Sequence, residues 1–60
     1  VDQFDYLKEL YNTKKNIEKT MALKAIGDLG TPEALDFIQS VKASSDYKDN
    51  MIREVVDLFI

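Results

Sequence analysis

Apolar side chains recur along this chain at intervals of three and four residues, with no sustained alternation at two. Residues three and four apart share one face of an α-helix, whereas a strand alternates faces, so the pattern predicts helices throughout. Phe4, Leu7, Leu10 and Tyr11 form one stripe, and Ile17, Met21, Ala22, Ala25, Ile26 and Leu29 a second. Leu35, Ile38 and Val41, with Phe37 beside them, form a third; Ile52, Val55, Val56, Phe59 and Ile60 complete a fourth. The expectation is an all-α fold of four helices in two antiparallel hairpins, residues 1–29 and 30–60, within a single domain spanning 1–60.

Both glycines and the only proline fall in one stretch, AIGDLGTPEALDFI, residues 25–38. Gly30 can take the left-handed conformation that ends a helix, Thr31 can cap the next, and Pro32 suits a first helical position that needs no N–H. Glu33 adds negative charge at the positive end of the new helix dipole. A stop and a start this close together must fold the two helices back on each other. Asn12 and Thr13 are the expected caps of the second helix, and Ser44, Ser45 and Asp46 those of the fourth, because a short side-chain oxygen accepts from a free first-turn N–H. Gly27 lies inside the second helix, where glycine costs about 1 kcal/mol relative to alanine. Close approach of a neighbouring helix is the expected reason.

Sliding the sequence by 34 positions lays residues 1–26 over 35–60. Val1 then falls on Leu35, Phe4 on Ile38, Leu7 on Val41, Ile17 on Met51, Met21 on Val55, Ala22 on Val56 and Ile26 on Ile60. Asp2/Asp36, Lys8/Lys42, Lys14/Lys48 and Asn16/Asn50 are identical pairs. The polar matches, NTKKNI over DYKDNM, weigh more than the apolar ones, which any two amphipathic hairpins would share. A period in the thirties with two helices per unit points to an α-solenoid, in which each hairpin buries its face by stacking on the next. A chain starting at Val1 and ending on VVDLFI is the expected form of a window cut from a longer array.

ALKAIGDLGTPEALDFI, followed by MIREVVDLF, resembles HEAT-like repeats of the short bacterial and archaeal type. The likeness covers nearly the whole chain and implies a right-handed α-α superhelix. Ile52-Arg53 matches the opening of the second helix of such a repeat, and Asp46 the acidic turn residue that pairs with a neighbouring basic side chain. The first unit departs from the pattern, with Asn12 in the place of Asp46 and Lys19 in that of Arg53. A narrower likeness runs from FDYLKELY through TPEALDFI: Tyr11, Glu18-Lys19, Ala22-Leu23, Gly27 and Pro32-Glu33 are similar to the helical C-terminal domain of puromycin-sensitive-type zinc aminopeptidases. That likeness implies a segment enclosing peptide substrate, without the enzyme's histidine-bearing catalytic helix.

Composition narrows the chemistry. The 60 residues include no cysteine and no histidine, which removes Cys–His and Ser–His nucleophiles and the usual zinc, haem and iron–sulfur ligands. The acidic residues show no calcium-loop spacing, so no metal or cofactor is expected. The pairs Asp2/Asp5 and Asp46/Asp49 sit at helix starts, where acids are favoured, and two hairpins leave no cleft to split their pKa values; no catalytic residue and no enzymatic role are expected of this segment.

The net charge of −3 is unevenly spread, with residues 8–24 at +3 and residues 25–60 at −4. The basic stretch is short and not interleaved with aromatics, so nucleic acid is not an expected partner. No uncharged apolar run approaches the roughly 20 residues that span a bilayer, and these residues show no signal-peptide pattern. The lack of cysteine fits a reducing compartment, and the expected location is cytoplasmic. Of the aromatics, Tyr6, Phe37 and Tyr47 stand off the stripes, Phe37 widening the apolar face of its helix. The HEAT-like resemblance implies that the second helix of each hairpin lines the contact surface, which selects Lys15, Lys19, Asp49 and Arg53 as partner-binding residues. The expected role is a non-catalytic scaffold for a protein or peptide, with flanking repeats or self-association through its apolar ends.

Overall fold

A computed structural model describes residues 2–60, and Val1, matched to Leu35 in the repeat, lies outside the described residues. The chain forms α1 (Gln3–Thr13), α2 (Asn16–Leu29), α3 (Pro32–Lys42), a 3₁₀ turn (Ser45–Lys48) and α4 (Asn50–Phe59). The fold is all-α, with no strand among the described residues. Asp2 starts α1 by accepting from the Phe4 N–H at 2.9 Å. The turn between α2 and α3 follows the sequence reading: Gly30 is left-handed at φ 69°, and Thr31 Oγ1 accepts from the Ala34 N–H at 3.2 Å with Pro32 opening the helix.

The other two connections differ from expectation. Asn12 and Thr13 belong to α1, where the Thr13 hydroxyl donates to the Glu9 carbonyl at 2.8 Å, so neither caps α2. Lys15 takes the cap position without a side-chain bond, and Asn16 turns the chain with φ 58°, a left-handed value that asparagine tolerates. Before α4, Ser44 caps the 3₁₀ turn by accepting from the Asp46 N–H, and Asp49 caps the helix by accepting from the Met51 N–H at 2.8 Å. The matched segments NTKKNI and DYKDNM thus adopt different backbones up to the helix start. Beyond it the 34-residue offset holds, α2 beginning at Asn16 and α4 at Asn50.

The core consists of Leu7, Tyr11, Ala22, Leu23, Ile26, Ala34, Ile38, Val41, Ile52, Val55 and Val56. It gathers around α2, which packs on all three other α-helices. Ile17 and Met21, expected in the second stripe, are instead 62% and 65% exposed, while Leu23 is fully buried. The stripe is rotated toward Leu23 and Gly27, both buried, the latter lying against Phe59 of α4. A Cβ built on Gly27 would overlap the phenyl ring. Close helix approach is therefore the reason for this glycine. Phe37 joins α3 to α1, its ring edge-on to Phe4 at 6.1 Å and to Tyr11 at 5.4 Å between centroids. Ile60, expected in the fourth stripe, is 48% exposed past the end of α4.

Candidate functional site

Three side chains from different elements meet where the hairpins join. The Tyr11 hydroxyl, at the end of α1, donates to Asp46 Oδ2 of the 3₁₀ turn at 2.7 Å. Lys19, one turn into α2, places Nζ 3.3 Å from the same oxygen and 4.6 Å from the centre of the Tyr11 ring. Tyr11 is buried and its phenol is held well above the ordinary tyrosine range, first by loss of solvent and then by the bond to Asp46. Asp46 is held below the usual carboxylate range, chiefly by the hydrogen bond from Tyr11 and further by Lys19. These groups fasten the connection between α3 and α4 onto the first hairpin; the shifts of the two partners favour a neutral Tyr11 phenol and a charged Asp46 carboxylate.

A second cluster lies on the outer side of α4. The Tyr47 hydroxyl donates to Asp57 Oδ1 at 2.9 Å, a bond that raises the phenol's pKa. Arg53 Nε donates to the Tyr47 carbonyl at 3.4 Å, and its guanidinium lies 5.5 Å from the ring centre. The remaining carboxylate pairs are likewise occupied: Asp2 caps α1, Asp5 lies 3.7 Å from Lys8, and Asp49 caps α4. Among the described residues, no three carboxylates converge in a way that could hold a metal ion. Among the described residues, no helix is long and apolar enough to cross a membrane.

The structure separates the four residues selected from sequence. Lys19 is engaged with Asp46 and Tyr11, Asp49 is a helix cap, and Arg53 covers Tyr47. Lys15 is exposed at the start of α2. Sequence reasoning missed the role of Tyr11, which was assigned to packing. The only available signal was its place at the end of a stripe, where a buried phenol needs an acceptor. No family model matches the chain, and no curated protein or solved structure does either.

The exposed large apolar residues have a clear distribution. They are Tyr6, Ile17, Met21, Met51, Leu58 and Ile60, of which four stand on α2 or α4 and Ile60 just beyond α4. Ile17 and Met51 are 34 positions apart and each lies in the first turn of its helix. Their neighbours are Lys15 and Glu18 on one helix and Arg53 and Glu54 on the other. Each of these two positions thus sets an exposed apolar side chain among charges of both signs.

Proposed function

We propose that the chain is a non-catalytic HEAT-like repeat module, part of a right-handed α-α superhelix, that binds a protein or peptide segment along its second helices. The observation that carries this reading is the repetition of exposed apolar positions on α2 and α4, with Ile17 and Met51 in equivalent places and Leu58 further along. The cross-hairpin bond from Lys19 to Asp46 supports it, since an acidic turn residue tied to a neighbouring second helix is what the resemblance implies. Binding rests on Ile17, Met51 and Leu58 as anchors, with Lys15 and Arg53 flanking them. Lys19 and Asp49 act from behind this face by fixing the connections.

A displayed library of random peptides, selected on the immobilised chain, tests the proposal. Selected peptides are expected to bind at least about tenfold more weakly to Ile17→Lys/Met51→Lys, a loss of about 1.4 kcal/mol or more. Gln39→Lys, on exposed α3 surface, is expected to leave binding unchanged. Failure to select any peptide, or equal binding to the double variant, would remove the second helices as the contact surface.

A further inference from the structure

The two ends of the hairpin stack differ in chemistry. On the first hairpin, away from α4, Leu10, Met21 and Ala22 line a shallow groove of about 260 Å³ between α1 and α2, with Lys14 and Glu18 at its rim. On the second hairpin, α4 carries the exposed Arg53 and Asp57, both tied to Tyr47. The exposed Asp57 is 34 positions beyond Leu23, which is fully buried. The face that would extend the stack beyond α4 is therefore polar where its counterpart on α2 is apolar.

We infer that the groove on the first hairpin is a homodimer interface, in which two copies of this chain meet face to face about a two-fold axis. Head-to-tail stacking is disfavoured because it would bury Asp57 and Arg53 of one copy against Met21 and Leu10 of the next. A two-fold contact places the same patch on both copies and so must be self-complementary. This patch is: an axis passing between Lys14 and Glu18 sets Lys14 of one copy against Glu18 of the other, twice. Neither residue takes part in the ion pairs Asp5–Lys8, Lys19–Asp46 and Lys24–Asp28 recorded among the described residues. The 65% exposed Met21 of each copy then packs into the groove of the other, beside Leu10. An interface confined to one face of one hairpin falls at the small end of specific contacts, so the dimer is weak.

Sedimentation velocity from about 10 μM to about 1 mM covers the range of such affinities. The expected result is a reversible monomer–dimer equilibrium. Met21→Lys removes the dimer while far-UV circular dichroism stays unchanged, because Met21 is 65% exposed in the single chain. Lys14→Glu or Glu18→Lys alone weakens dimerisation several-fold, and the two together restore it, since the exchange recreates both pairs. Leu58→Lys, on α4, leaves the equilibrium untouched. A chain that stays monomeric throughout, as when the groove is meant for a flanking hairpin, overturns the inference. So does association abolished by Leu58→Lys and not by Met21→Lys, the mark of head-to-tail contact. Sedimentation is run on the chain alone, with no peptide present, so its outcome is read separately from peptide binding.

Discussion

Cutting the bond between Tyr11 and Asp46 from its two sides should give unequal losses, and the inequality follows from burial. Tyr11 is 3% exposed, whereas the Asp46 side chain is 39% exposed. Tyr11→Phe removes a hydrogen bond to a charged acceptor, nominally 1.5–3 kcal/mol. The carboxylate left behind still faces water and Lys19, so the expected net loss is about 1 kcal/mol. Asp46→Ala instead leaves a buried phenol hydroxyl with no acceptor, at a desolvation cost of about 1–3 kcal/mol beyond the lost bond. Its expected loss is about 2–3 kcal/mol, a large part of the roughly 3–9 kcal/mol available to a chain of this length. Adding Tyr11→Phe to Asp46→Ala should therefore recover about 1 kcal/mol, since the stranded hydroxyl is gone. Thermal unfolding followed by circular dichroism at neutral pH resolves this, because about 1 kcal/mol moves Tm by roughly 4–8 °C in so small a domain. Equal single losses that simply add in the double variant would refute the reasoning, and with it the assignment of Asp46 as the partner of Tyr11.

The same pair predicts a two-sided pH dependence. Asp46, with its pKa depressed on folding, stabilises the fold above the unfolded value of about 3.9 and loses that contribution as pH falls through the lower folded value. Tyr11, with its pKa raised, contributes fully below about 10 and less as pH climbs past it. Asp46→Ala should flatten the acid limb of a stability–pH profile more than Asp2→Ala does, and an identical acid limb in both would count against the pairing. Gly27→Ala should lower stability by about 1 kcal/mol despite better helix propensity, yet be neutral or favourable in a Phe59→Ala background, where the clashing ring is absent. Gly30→Ala meets no neighbouring atom but must hold φ 69°, and should lower the urea midpoint by the equivalent of about 1 kcal/mol at constant slope.

Helix number and the central turn were legible because both rest on local chemistry. A left-handed glycine, a threonine cap and a proline at the first position act within six residues, whatever packs around them. The rotation of α2 was not legible. Ile17, Met21, Leu23 and Ile26 are all apolar, and the sequence does not show which three neighbours converge on the helix, so the stripe was drawn through Met21 and missed Leu23. The 3₁₀ turn was hidden for a related reason. Ser44, Ser45 and Asp46 are all good caps, and the choice of Asp49 depends on Asp46 being held by Tyr11 and Lys19 from the first hairpin. Of the selected contact residues, Lys19 and Asp49 turned out to have partners inside the fold for that reason.

The central position of α2 explains how one small chain can keep a fixed core and still leave binding surface free to vary. Its buried face, through Leu23, Ile26 and Gly27, is shared with α3 and α4, while Ala22 faces the α1 side. A change at any of these is felt by both hairpins at once, because α2 packs on all three other α-helices. Ile17 and Met21 lie on the remaining arc, where substitution removes little core contact. Dispensability for folding combined with apolar character is costly to solubility unless a partner covers the residue. Ile17 and Met21 are four residues apart on this one arc, so in the readings proposed above the peptide anchor and the contact with a second copy are neighbours on α2.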